Sequence, residues 1–414
     1  MRLRNELKRY PILTTAVRFS KRVMAIGRRV AKQSYSQDSD DLIASLVNIS
    51  DGRQRFVGYY DHSPFNNKNE DVLLLHSINY KTWKKPSPLQ SINIELINHK
   101  ENKVIRVLGE TSAWNWQQGA RALWLNSENV VFNVYDKVAD KYRARVVDIN
   151  GKHIEDLPIP VQEIDSKGRV YGLSYEALAA IRPDYGYRNK IVTSEVLSNN
   201  SIIQYDIIAK KSKTLVRIKD LKETVEKRCN KQIAKAKFNH ISVSPDATKL
   251  IFLFRYFLDD QRVTDLYVLS IETNELAVLV ENAGVSHFCW LDNSTVVATM
   301  MGSNGFGYYK IDVSTSHVDQ LWKKEDGHPN KLDSVHILTD TYPDKYALRH
   351  LLIRDLQSHE TKKLASFPEP LLFQGETRCD LHPTISRTGR YIQVDCAVGH
   401  KRTIAVLENP LFKE

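Results

Sequence analysis

From about residue 50 onward the chain alternates polar turns with short apolar runs of period two. Asn69–His76, Asn126–Asn133, Pro245–Phe254, Asp292–Ala298 and Arg387–Asp395 each open on turn residues and pass into a buried strand. Weaker matches at Lys190–Thr193 and Val335–Thr339 complete a series centred near 72, 130, 191, 250, 296, 337 and 391, at intervals of 41 to 61 residues. Between these runs lie second strands at Ser91–Ile97, Ala144–Ile149, Asp265–Ser270 and Tyr308–Asp312, most of them followed by a polar turn. A unit of two or more strands cannot bury both of its faces alone, so seven such units predict an all-β, seven-bladed β-propeller closed into a ring. Two stretches interrupt the pattern. Residues 171–188 carry a short helical pattern ended by Pro183, and residues 218–236 read as a helix with Lys and Glu interleaved. Insertions of this kind sit on loops at a propeller's mouths, where ligands bind, and are candidate lids.

Ahead of the repeats the periodicity is different. Ala16, Phe19, Val23, Ile26 and Val30 recur at steps of three and four, the apolar stripe of an amphipathic helix. The polar run Gln33–Asp41 follows, so residues 1–40 are expected to form an arm and residues 50–414 the propeller.

Charge sharpens this division. The formal net charge of the 414 residues is +10, but residues 1–33 alone hold ten basic side chains against one acid, Glu6. The arm is thus +9 and the body nearly neutral, which gives nucleic-acid binding no basic stripe to use. Three readings of the arm stand: a helix on an anionic membrane surface, a helix packed on the body, or a targeting segment. The cysteines Cys229, Cys289, Cys379 and Cys396 have neither disulfide-framework nor zinc-ribbon spacing, which suits a reducing, cytoplasmic setting, with the arm a route to the inner membrane face. No run of 18 or more apolar residues is present, and no secretory-signal pattern is expected in the arm.

Candidate chemistry collects where inner strands begin or end. His240, His287, His328 and His382 occupy similar places in four successive units, so their imidazoles are expected to face one channel and, with a carboxylate or amide oxygen, would suit Mn, Fe or Zn. The alternative is that such side chains only hydrogen-bond neighbouring backbone. Alternation puts Arg378, Asp380 and His382 on one face, with Cys379 and Leu381 on the other; Asp340 and Tyr342 likewise share a face. No phosphate loop, nucleophile elbow or H-E-x-x-H occurs.

The segments Trp116-Gln-Gln-Gly-Ala-Arg-Ala-Leu-Trp-Leu125, His240-Ile-Ser-Val-Ser-Pro-Asp246 and Ser286-His-Phe-Cys-Trp-Leu291, in this order, resemble the oligogalacturonate lyases, propellers that cleave uronate oligosaccharides by β-elimination. The resemblance extends loosely over residues 55–400. It implies a Mn²⁺-type ion held by three His and a Gln, with His287 and His328 matching two of the ligand positions. In place of the family's closely spaced His pair, Arg378-Cys-Asp-Leu-His382 offers His382 and Asp380, and Gln374 stands in for the amide. Removal of a uronate C5 proton requires that its carboxylate be neutralised, by a metal or by Arg121 or Arg378, with Gln117, Gln118 and Asp380 as further substrate contacts. His240 or Arg255 is the expected base, and Tyr60 or Tyr342 the acid for the leaving oxygen. The competing function is a non-catalytic glycan-binding or scaffold propeller of bacterial surface-polysaccharide synthesis at the membrane face.

Overall fold

The computed structural model describes residues 11–33 and 46–413; of the arm, residues 1–10 and 34–45 lie outside the described residues. Seven antiparallel sheets follow one another round a ring, each a meander whose strands pair in chain order. Blade one is β1–β4 (Gln54–Phe56, Val72–Ile78, Ile92–Asn98, Lys103–Thr111) and blade two β5–β8 (Leu123–Trp124, Asn129–Asp136, Lys141–Asp148, His153–Leu157). Blade three is β9–β12 (Glu163–Ile164, Arg169–Gly172, Ser201–Asp206, Lys211–Arg217) and blade four β13–β16 (Ala236–Val243, Lys249–Leu258, Gln261–Ser270, Leu276–Val280). Blade five is β17–β20 (Phe288–Trp290, Thr295–Gly302, Gly305–Asp312, Val318–Trp322) and blade six β21–β24 (Asn330–Lys331, His336–Asp340, Leu348–Asp355, Thr361–Pro368). Blade seven has only β25–β27 (Thr384–Ile385, Tyr391–Val398, Lys401–Glu408), and the chain ahead of β1 supplies its outer edge. Leu46 bridges Ala405, and the Val47 amide donates to the Ile404 carbonyl at 3.0 Å. First and last segments of the propeller thereby close the ring.

The apolar runs face the gaps between blades. Leu74 and Ile94 of blade one meet Val130 and Phe132 of blade two, and Leu253 and Leu266 of blade four meet Val296 and Ala298 of blade five. Each blade buries a face only against its neighbour, the physical reason a ring is needed.

Six of the seven expected units coincide with observed blades. The seventh is corrected: Lys190–Thr193 is not a strand but leads into a short helix capped by Thr193. Blade three places its second strand at Arg169–Gly172, only four residues long, and the segment between β10 and β11 is the insertion. That insertion carries α2 (Tyr175–Ile181) and α3 (Ser194–Ser198), while α4 (Ile218–Cys229) links blades three and four and stops at Asn230, which takes the left-handed conformation. Both insertions lie on the face where inner strands begin, here called the upper face.

The amphipathic helix forms as α1 (Pro11–Gln33) and lies on the upper rim of blade six. Arg29 donates to the Ala347 carbonyl at 3.0 Å, Arg22 donates to the Pro370 carbonyl at 2.9 Å and pairs with Glu369, and Ala25 is buried. Phe19 and Val23, members of the apolar stripe, stay 45% exposed, so cations make the contact and these two apolar side chains do not.

Candidate functional site

The inner strand of blade one is interrupted in a way that shapes the channel. Phe56 pairs with His76 at one end of β2 and Phe65 with Leu73 at the other, so the eight residues Val57–Pro64 stand opposite only Leu74 and Leu75. The excess chain is an excursion into the channel, and it carries Tyr59, Tyr60 and Asp61. Gly58 allows it at φ +111, since a Cβ there would come within 2.9 Å of the Gln118 carbonyl carbon.

Tyr60 stands at the centre of the four histidines. Its ring centroid is 5.4 Å from His240, 6.0 Å from His287, 5.2 Å from His328 and 6.1 Å from His382. Its hydroxyl donates to the Phe288 carbonyl and accepts from the Phe288 amide, both at 3.1 Å. Burial lifts its pKa well above the phenol value, and at 1% exposure it is a plug of the channel, its hydroxyl held by backbone.

The histidines are oriented through their Nδ1 atoms. His328 Nδ1 lies 2.8 Å from Asp340 Oδ1, His287 Nδ1 lies 3.2 Å from Asp326 Oδ1, and His382 Nδ1 donates to the Gly58 carbonyl. His240 Nδ1 is 3.4 Å from the Tyr60 hydroxyl, with its ring stacked on Phe288 at 4.1 Å. The Nε2 atoms of His240, His328 and His382 are buried without a hydrogen-bond partner. Burial pulls His240 and His382 down to about 3, so both are neutral at physiological pH. Burial also lowers His287, reinforced by His328, whereas for His328 itself burial is outweighed by Asp340 and its pKa is raised. Arg121, His240 and His382 stand at φ +51, +45 and +45, a left-handed kink repeated at one position of blades two, four and seven. Such residues cost about 1–2 kcal/mol each and are held only by what surrounds them.

His328, His382 and Asp380 bring one ligand atom each within 4.8 Å of one another. These residues fit a divalent cation: both imidazoles keep an unpartnered Nε2, and their Nδ1 atoms are fixed by an acidic or carbonyl oxygen, as metal-ligating histidines commonly are. His287 lies beside them, its ring 4.1 Å from that of His328 and tilted by 49°, but falls outside that close trio. Gln374 is elsewhere engaged: its amide donates to the Leu371 carbonyl at 2.9 Å and its side chain caps the turn Gly375–Thr377.

Asp380 also belongs to an ion-pair ladder. Arg22 of α1 pairs with Glu369, Glu369 with Arg349 at 3.3 Å, Arg349 with Asp380 at 2.9 Å, and Asp380 with Arg378 at 2.7 Å. The alternation continues through Asp184 at 2.8 Å to Arg182 at 2.7 Å on the insertion of blade three. Arg378 further donates to the Tyr185 hydroxyl at 3.0 Å, which leaves it little capacity for an incoming carboxylate. Arg121 is likewise committed, forked onto Asp61 at 2.8 and 3.1 Å with both side chains buried. Gln117 donates to the Arg378 carbonyl at 3.0 Å; its Oε1 and that of Gln118 are buried and unpartnered. Gly119 of the same motif is required because a Cβ there would run into the His76 ring.

Two basic side chains without an ion pair lie at the upper mouth. Lys237 and Arg255 are direct cross-strand partners in β13 and β14, 2% and 6% exposed, and among the described residues neither is ion-paired. Arg255 donates to the Val285 and Ser286 carbonyls at 3.1 Å and its Nε has no partner; Lys237 has only Asn239 Oδ1 at 3.5 Å. Burial, then neighbouring Arg262 and Arg182, brings Arg255 down to about 10, and burial with Arg255 pushes Lys237 well below its ordinary value. Sequence reasoning singled out Arg255 and missed Lys237. Strand alternation through Lys237-Phe-Asn239 was the available signal, but the pairing with Arg255 needs the register. Tyr342, half-buried at the same mouth, has Arg349 against its ring at 5.6 Å, and burial raises its pKa, so it holds its proton. Replacing Lys237 with Met is expected to raise stability by about 1–3 kcal/mol, because a buried amine with no ion pair and only a long hydrogen bond is removed. Urea denaturation checks this, and a fall in stability would mean the lysine has a compensating partner.

The opposite mouth holds a cavity of about 320 Å³ lined by Asp61, His62, Glu163, His240, Phe288 and Trp290 among others. His62 Nε2 and Glu163 Oε1 pair there at 2.6 Å.

No family model matches the chain, and no curated protein does. Solved structures match. A manganese-bound oligogalacturonate lyase is 13% identical, with 88% of this chain and 93% of that one covered and a TM-score of 0.62. The oligogalacturonate lyase of Vibrio parahaemolyticus gives 13% identity, the same coverages and a TM-score of 0.61. The seven-bladed fold is shared with these lyases at low identity.

Proposed function

We propose that the upper mouth binds an acidic, uronate-containing oligosaccharide or polysaccharide and that the chain acts on it as a lyase. The observation that carries this reading is the buried Lys237–Arg255 pair, two desolvated basic groups with which no carboxylate of the described residues forms an ion pair, Asp184 acting on Lys237 only from a distance. A substrate carboxylate would supply the missing charge, and it would do so beside the histidines. His240 lines the lower cavity beside Asp61 and lies within electrostatic reach of Arg255 at the upper mouth. In the elimination His240 takes the C5 proton, the C5–H electron pair forms the C4–C5 double bond, the C4–O bond breaks, and Tyr342 protonates the leaving oxygen. Arg255 and Lys237 stabilise the charge that develops on the carboxylate as C5 is deprotonated. A divalent ion such as Mn²⁺, held by His328, His382 and Asp380, would supply Lewis-acid stabilisation of that charge.

The test is to incubate the full-length protein with several uronate oligomers, with and without Mn²⁺, and to follow the ultraviolet absorbance of the conjugated, unsaturated product. A rise is expected; silence across all the uronates would sink the lyase reading. Two features favour a second reading, a glycan-binding propeller without turnover: Tyr60 plugs the channel, and two arginines already hold Asp380. Calorimetric binding of the same oligomers without absorbance change would select it.

A further inference from the structure

The helix α1 shows what the upper face meets. Among its described side chains, Arg22, Ala25 and Arg29 face the propeller from one side of the helix. On its other sides Phe19 and Val23 are 45% exposed and Met24 52%. Lys21 and Arg28 are exposed on the flank next to Met24 and pair with no carboxylate among the described residues. Residues 11–33 contain no acidic residue at all. Exposed apolar side chains flanked by unpaired cations on one helix are the two components of binding at an anionic lipid interface, burial of apolar surface and Coulomb attraction.

The position of α1 adds an orientation. Ala347 lies in the loop between β22 and β23, and Glu369 and Pro370 follow β24; all are on the upper face, where His328, Asp340, Tyr342, Arg378 and His382 also lie. The helix is therefore fixed to the same face as the mouth, through a ladder of ion pairs that ends inside it. Among the described residues no helix is long and apolar enough to cross a membrane, so attachment by this route is peripheral.

We propose that α1 docks the upper face of the propeller on an anionic lipid surface through Phe19, Val23 and Met24 with Lys21 and Arg28, and so turns the channel mouth toward the bilayer. The surface is not proposed to bind a protein partner or a second copy.

The experiment is co-sedimentation of the full chain with phosphatidylcholine vesicles containing or lacking phosphatidylglycerol. Binding is expected only with the anionic lipid. It should weaken by about fivefold for Arg28→Gln, which removes one cation, and by about tenfold or more for Phe19→Asp/Val23→Asp, which removes two apolar side chains from the lipid-facing side. Both variants alter exposed side chains, and an unchanged melting temperature verifies that they fold. Hydrogen exchange with vesicles present should protect the upper loops at 259–260 and 341–347 and leave the lower turns at 245–248 and 271–275 unchanged. Equal binding to neutral vesicles, no binding to either, or protection of the lower turns would overturn the proposal. So would concentration-dependent self-association abolished by Phe19→Asp/Val23→Asp without vesicle binding, which would make the occupant a second copy.

Discussion

Replacing Asp380 with alanine is expected to lower the stability of the protein by about 3–5 kcal/mol, the cost of breaking a buried ion pair from one side. Asp380 is 2% exposed, and its carboxylate stands between Arg349 at 2.9 Å and Arg378 at 2.7 Å. Burial alone would raise its pKa, but the two guanidiniums dominate and hold it well below the ordinary carboxylate value. Alanine would leave Arg349, 3% exposed, with only Glu369 beside it, and Arg378 with Asp184. Because the folded pKa is depressed, the carboxylate's contribution is present above the unfolded value near 4 and is lost as pH falls through the folded value. The deficit of Asp380→Ala measured by urea denaturation should therefore be constant from about pH 5 to 8 and shrink only in strong acid. A deficit under about 1 kcal/mol at pH 7 would show that the ladder is not held by this residue. Asp380→Ala/Arg349→Met, which removes one stranded cation as well, should recover part of the loss.

How far this arrangement could be read from the chain depends on what kind of contact makes it. Five blades were legible because their second strands are long, apolar and introduced by turn residues, as in Lys249–Leu258 and Tyr391–Val398, and blade six, with the short second strand His336–Asp340, was legible only weakly. Blade three was misplaced for a physical reason. Its second strand, Arg-Val-Tyr-Gly at 169–172, is too short to show a period, while the insertion behind it offers Ile191 and Val192 as a false run. Recurrence of the histidines at like positions of four blades was legible as well, since equivalent positions in a ring face one axis.

The remainder depends on register and on close packing, which no local pattern encodes. Nothing in Tyr59-Tyr60-Asp61 signals that the inner strand leaves its sheet between Phe56 and Phe65, so Tyr60 reads as a free acid when its hydroxyl is in fact held by Phe288. Arg121 reads as a substrate cation, but Asp61 on that same excursion neutralises it. Lys237 became visible only when β13 and β14 were placed in register, opposite Arg255. The arm shows the same limit from another side: its helix was readable, but the side that touches the propeller was not, because Arg22 and Arg29 dock on carbonyls at the ends of strands far away in sequence.

The largest functional effect is expected at His240. If the imidazole is the base of an elimination, its removal should reduce kcat by about 10²–10⁴-fold with KM little changed, the usual worth of a positioned proton acceptor. The substitution should be His240→Asn and not His240→Ala: the residue stands at φ +45, a conformation that asparagine tolerates and alanine resists, so the asparagine variant separates lost chemistry from backbone strain. His240 is 3% exposed, its Nε2 has no partner, and burial takes its pKa to about 3. The free protein accordingly presents a neutral imidazole throughout the physiological range, and kcat/KM should show no acid limb between about pH 5 and 8 arising from this group. Steady-state kinetics on whichever uronate gives product decides the matter. A variant with kcat within about threefold of the parent would remove His240 from the chemistry, and with it the reading of the orphaned Nε2 as a proton acceptor.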